Sequence, residues 1–273
     1  MAAASAGFHH PLVRAARLLQ QKKNREERQC FLLEGHTLVS AALDAGAALE
    51  CAFFAGPRSK QSSTLAQRIA KLRRPAFDVD QRTMQSLSQT QTPPGVVAVA
   101  PFIDRTADEL IGLLPRRGPL LLAVLHQTAD PGNAGTLVRS CAAFAVAAVC
   151  FGPHAVDPYN AKTVRSSMGA IFAVPVVRYE SWAHLRSRLA RANVEIAAAQ
   201  AAAPDVRALT IPQRIALVVG HERHGLTGVP AADVALQLGV PQARAVESLN
   251  AAVAGSILLY ELARSSGLIS TVK

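Results

Sequence analysis

Cysteine is scarce in this chain, and no two cysteines are spaced as a metal or redox pair. Cys30, Cys51, Cys141 and Cys150 form no C-x-x-C motif among the 273 residues, and each has apolar neighbours. They read as reduced packing thiols of a cytosolic protein, not as a disulfide framework or a zinc site. No apolar run approaches the roughly 18 residues a membrane-spanning helix needs. A secretory apolar core is missing from the N-terminus. Its lack of acids before Glu26 and its Ala, Arg and Ser content would also suit an organelle transit peptide, the minor alternative to a cytoplasmic location. Acidic residues are in deficit, 19 against 29 Lys and Arg, which gives a net charge of +10. A polyanionic partner, most simply nucleic acid, suits that balance.

Several catalytic signatures are also missing. There is no G-x-x-x-x-G-K-[ST] phosphate loop, no G-x-G-x-x-G after a strand and no G-x-S-x-G elbow. The stretch "HERHG" at 221–225 begins like a zinc-protease helix, but Gly225 stands where the second imidazole would fall, so no metal is expected.

What is present is an alternation of strands and helices. Residues 11–29, "PLVRAARLLQQKKNREERQ", read as one helix opened by Pro, with Arg14, Arg17, Gln21, Arg25 and Arg28 on one stripe. That stripe is either a solvated face or a track for phosphates. "CFLLEGHTLVSAALDAG" reads as a strand or turn entering a helix, "LECAFFAG" as a strand, "SSTLAQRIAKLRR" as a helix and "GVVAVAPF" as a buried strand. Residues 1–102 thus form a small α/β domain, 103–118 a polar, proline-bearing linker, and 119–273 a second domain. In the latter, "LLLAVLH", "VAAVCFG", "IFAVPVV", "NVEIAAA" and "RIALVVG" have the continuous apolar character of parallel strands covered on both faces.

Three loops of the second domain stand out. In "ADPGNAGTLVRSCAAFAV", 129–146, Asn133 is the expected helix cap, and Arg139 is the single full charge within the helix. Gly135, Arg139 and Ala143 share one helical face; Leu137, Cys141 and Phe144 share the core face. In "ALVVGHERHGLT", 216–227, a buried strand enters a polar loop holding Gly220, Glu222 and Gly225. In "LGVPQARAVESLNAAVAGSILLYELAR", 238–264, a strand-like start leads to a long apolar helix expected to be capped by Ser248, with Asn250 in its first turn.

In order and internal spacing, "DPGNAGTLVRS", "LVVGHERHGL" and "VPQARAVESLNAAVAGSILLYE" resemble the motifs of the SpoU/TrmH branch of SPOUT RNA ribose methyltransferases. "FLLEGHTLVSAAL", "LSQTQTPPGVVAVA" and the R-x-S-x-G-A segment at 165–170 extend the resemblance over most of the chain. The resemblance implies a parallel-sheet domain with a deep trefoil knot behind a smaller α/β substrate-binding domain. It also implies a homodimer and S-adenosylmethionine as cofactor. By position, Gly220, Val240, Pro241 and Leu249 would line the cofactor, mostly through backbone. Asn133, Arg139, Glu222, Ser248 and Asn250 would form the reaction site, and Arg165 would meet RNA beside Arg14, Arg17, Arg25 and Arg28. Three places depart from the common pattern: Arg223 and the pair Ala243–Arg244 stand where Gly is usual, and Gln242 where Met is frequent.

The implied reaction is methylation of a ribose 2′-hydroxyl, on large-subunit ribosomal RNA or alternatively transfer RNA. Because a guanidinium keeps its proton, Arg139 is expected to orient the hydroxyl and stabilise developing negative charge instead of acting as base. With only 5% aromatic residues, phosphate contacts rather than ring stacking should dominate RNA affinity. The competing readings are a non-catalytic RNA-binding or ribosome-assembly factor of the same fold and an enzyme acting on a small metabolite.

Overall fold

A computed structural model describes residues 4–57, 59–221, 224–243 and 248–269. The chain divides into two compact units, residues 1–103 with 159–172, and residues 104–158 with 173–273.

The first unit contains β1 (Ala4–Ser5), α1 (Pro11–Leu18), α2 (Lys22–Arg28), β2 (Cys30–Glu34), α3 (His36–Asp44), β3 (Cys51–Ala55), α4 (Lys60–Lys71), β4 (Ala76–Val79), α5 (Gln81–Leu87) and β5 (Val96–Pro101). Its sheet runs β1-β4-β3-β5-β2, with β5 antiparallel to both neighbours. Cys30, Leu32, Phe53, Val97 and Val99 fill one side of it against Val13, Ala16 and Leu19.

The expected single helix over 11–29 is two helices, because the chain turns between Leu18 and Lys22. Arg25 is the reason the turn is stable: buried at 4% exposure, it donates to the carbonyls of Leu19 at 2.9 Å and Gln20 at 3.0 Å. Carbonyls at a helix end have no partner within the helix, so an inward guanidinium satisfies them. Arg25 therefore does not belong to an outward stripe. Arg14 and Arg28 are exposed, and Arg17 donates to the Phe8 carbonyl while lying over its ring.

In the second unit come β6 (Arg105–Thr106), α6 (Ala107–Leu113), β7 (Leu120–Leu125), α7 (Pro131–Ala143) and β8 (Ala148–Phe151). The stretch 103–118, read as a linker, is thus largely structured. Thr106 and Glu109 form a reciprocal capping box, and Ala107, Leu110 and Leu114 join the core. Residues 159–172, with α8 (Ala161–Ser166), pack in the first unit instead of the second. Tyr159 stacks on Phe102, and Arg165 pairs with the buried carboxylate of Glu34 at 3.1 Å. Then follow β9 (Val176–Arg178), α9 (Trp182–Arg191), β10 (Glu195–Ala199), β11 (Arg214–Val219), β12 (Leu236–Leu238) and α10 (Ala251–Ser265). The seven strands order as β12-β10-β11-β7-β8-β9-β6, and every pairing is parallel. All four cysteines are free and buried, and burial pushes the Cys150 thiol up to about 12. Among the described residues no helix is long and apolar enough to cross a membrane, and no cluster of metal-ligating side chains forms.

Candidate active site

Because the sheet is parallel, the loops after β7, β10, β11 and β12 leave it on one side, where open α/β sheets bind ligands. Asp130, not Asn133, caps α7: its Oδ1 accepts the Asn133 N–H at 2.8 Å, with Pro131 in the first turn. A carboxylate just before Pro suits that position as well as an amide three residues later, and it spares the Asn133 side chain for another contact. Asn133 Oδ1 instead accepts a hydrogen bond from Asn250 Nδ2 at 3.0 Å. Asn250, not Ser248, caps α10, its Oδ1 accepting from the N–H groups of Ala252 and Val253.

The two helices run side by side in the same direction. Ser140 Oγ meets Ser256 Oγ at 2.7 Å, and the Phe144 and Tyr260 rings meet edge to face further along. Gly255 permits the approach, since a Cβ there would lie 2.7 Å from Leu137 Cδ2. The Asn250–Asn133 bond therefore ties together the positive ends of two helices.

Beside this junction is a cavity of about 490 Å³. The loop after β11 contributes Gly220, His221, Gly225 and Leu226; the segment after β12 contributes Val240, Gln242, Ser248, Leu249 and Asn250. The first of these loops is pinched shut by two backbone hydrogen bonds between His221 and Gly225, at 2.9 and 3.0 Å. Gly220 is obligatory there, because a Cβ would fall 2.3 Å from the Gly225 carbonyl oxygen. The close backbone at this turn brings main chain into the cavity wall.

Of the residues read from the sequence, Gly220, Val240, Ser248, Leu249 and Asn250 line this one cavity, and Asn133 is bonded to its rim. Pro241 lies between two lining residues but is itself exposed. Glu222 lies outside the described residues. Arg139 is exposed on α7, with no partner among the described residues, and Ala143 shares its exposure while Gly135 is turned to the core. Arg14, Arg17, Arg25, Arg28 and Arg165 belong to the first unit.

Sequence reasoning missed His126, which follows β7. Its Nδ1 lies 2.7 Å from the Tyr179 hydroxyl and its Nε2 3.0 Å from the Thr227 carbonyl oxygen. A carbonyl only accepts, so Nε2 carries the proton and Tyr179 donates to Nδ1. Burial lowers the His126 pKa and raises that of Tyr179. The imidazole thereby fastens the loop that supplies Gly220 to Leu226. The only sequence signal was a polar ring closing an apolar strand.

Residues 120–260 match the SpoU rRNA Methylase family. The chain belongs to that family. Residues 10–98 match the MRM3-like substrate binding domain. An uncharacterized tRNA/rRNA methyltransferase of Synechocystis is 30% identical over 263 residues, 96% of this chain and 94% of its own. The 23S rRNA (guanosine(2553)-2'-O)-methyltransferase RlmP of Bacillus subtilis is 30% identical over 246 residues, 89% of this chain and 92% of its own. An AdoMet-bound rRNA methyltransferase from Sinorhizobium meliloti shares the architecture with a TM-score of 0.82 at 26% identity, over 98% of this chain and 99% of that one. The SpoU-family chain described here is thus a methyltransferase with the SPOUT arrangement of α/β elements. Its cavity fits S-adenosylmethionine: Val219, Leu226, Leu249 and Leu258 offer apolar walls to a purine, and the Gly220–Gly225 turn lets backbone approach where a Cβ would block it.

Proposed function

We propose that this chain is an S-adenosylmethionine-dependent RNA 2′-O-ribose methyltransferase acting on large-subunit ribosomal RNA. The observation that carries the reading is the Asn250–Asn133 bond at the rim of the cavity, which brings two motif-bearing helix starts to one point. When bound, the cofactor supplies a methyl already activated on a sulfonium, so the chain's task is positioning. Gly220, Val240 and Leu249, with Pro241 shaping the turn between, hold it. Asn133 and Asn250 orient the ribose, helped by Ser248 and Glu222. Arg139 aligns the 2′-hydroxyl and stabilises the charge that develops on it as its proton leaves, assisted by a phosphate of the RNA.

Two further features belong to this reading. One is a homodimer: Val253 at 46% exposure, Ile257 at 37% and Tyr260 at 39% form an apolar stripe on α10, and a second copy covering it would enclose Arg139. The other is a deep trefoil knot in the second unit, which the resemblance of its motifs to the SPOUT family implies. The first unit selects the RNA, with Arg14, Arg17 and Arg28 as phosphate contacts and Arg165 in the same unit. The buried, reduced cysteines suit a cytoplasmic site of action.

The test is methyl transfer from labelled cofactor to ribosomal RNA of a deletion strain, with mapping of the restored 2′-O-methyl position. Arg139→Lys keeps the charge and loses the planar fork, and turnover should fall about 100-fold. Near-normal turnover of that variant defeats the role given to Arg139; transfer to transfer RNA alone defeats the substrate.

A further inference from the structure

One residue of the cavity lining carries a buried polar atom that has no partner among the described residues. Gln242 lines it, and Gln242 Oε1 has no hydrogen-bond partner among the described residues. Folded proteins rarely leave a buried carbonyl unpaired, because its lost hydration is not repaid. The other unpartnered buried atoms, on Arg17, Thr83, Thr128, Thr163 and Arg188, lie outside the cavity lining. Among the described residues, Gln242 is thus the lining residue whose missing partner can arrive with a ligand.

The wall that carries it is anchored. Gly239 N–H donates to the Pro204 carbonyl at 2.8 Å, and the space where a Cβ would stand is occupied by the carbonyls of Ala203 and Gln200. Three residues later comes Gln242, which lines the cavity together with Gln200 and Ala201 from the opposite segment. A carbonyl oxygen accepts only, so its partner must be an N–H or O–H donor. The adenosine portion of S-adenosylmethionine has such donors in its 6-amino group and its two ribose hydroxyls.

We propose that Gln242 is a specificity residue for the cofactor, its side-chain carbonyl accepting a hydrogen bond from the adenosine. This rests on reading the cavity as the S-adenosylmethionine site. A nucleoside presenting an acceptor at that position would be rejected, since two acceptors would then face each other in a buried place.

Calorimetric titration with S-adenosylhomocysteine separates the outcomes. Gln242→Met keeps the side-chain length and removes the acceptor, and its affinity should fall about 10-fold, while Gln242→Glu, which keeps an acceptor, stays within about threefold of the parent. Analogues lacking the 6-amino group, the 2′-hydroxyl or the 3′-hydroxyl identify the donor. One of them should bind the parent protein about 10-fold more weakly and lose nothing further on Gln242→Met. Melting temperatures without ligand establish that each variant is folded. Equal affinity of Gln242→Met and the parent overturns the inference, as does the same fold-loss for every analogue in both proteins. Failure of the parent to bind S-adenosylhomocysteine would instead overturn the cofactor reading on which the inference stands.

Discussion

At the scale of single residues, environment decided what each polar side chain does. His126 is held neutral because burial lowers its pKa below the ordinary 6.5. On acidification the unfolded chain therefore takes up a proton before the folded chain does. The associated stability is complete above about pH 6.5 and is lost as the pH falls through the lower folded value. Burial lowers the His36 pKa as well, so it adds to the same acid-side loss. Replacing His126 by Gln keeps a donor for Thr227 and removes one titration. Urea midpoints measured between about pH 5 and 8 should show a shallower acid-side decline in that variant. Arg25 and Arg14, one helical face in the sequence, part company in the fold. Arg25→Ala strips two carbonyls of their donor and should cost about 1–3 kcal/mol in chemical denaturation. Arg14→Ala should leave stability unchanged and reduce the salt slope of RNA binding by about one. Equal behaviour of the two variants would contradict this division.

At the scale of elements, helix ends and strand register carry the site. The apolar runs 120–125 and 214–219 became adjacent parallel strands, and the loop after the second became a cavity wall. Their hydrophobicity was enough to foretell this, because a strand covered on both faces leaves no polar alternation. Helix starts were harder to place. Asp130 and Asn250 took the capping positions expected of Asn133 and Ser248, since several good acceptors lay within three residues of each true end. Asn250 both caps α10 and donates to Asn133, and Asn250→Asp separates the two roles. Asp remains a good cap but has no amide N–H to give. Melting temperature should stay within about 2 °C of the parent, while methyl transfer drops by about 10-fold or more. A fall in stability matching the fall in activity would show that capping alone matters.

At the scale of the whole molecule, charge and the exposed stripe on α10 are the features from which RNA binding and the proposed dimer are tested. With a net charge of +10, RNA binding should weaken steeply with added salt. Ile257→Asp places a carboxylate in the stripe formed with Val253 and Tyr260 and should convert the proposed dimer to monomers in light scattering. Activity should fall with it, since Arg139 is exposed and has no partner among the described residues. A monomeric and fully active variant would mean that Arg139 serves its own subunit without a second copy.

Patterns along the chain were sufficient for the alternating α/β order, the unpaired cysteines and the choice of Gly220, Val240, Leu249, Ser248 and Asn250, which line one cavity. These follow from local periodicity, residue chemistry and motif order, all of which are properties of neighbouring residues. Tertiary structure alone decided that Arg25 turns inward, that 103–118 carries a core helix and that 159–172 packs with the first unit. It also decided that Asn133 meets Asn250 and that His126 fastens the loop ending at Thr227. Each of these pairs groups far apart in sequence or depends on which end of a helix closes first. Such outcomes are set by the competition of buried polar groups for partners, which no local pattern records.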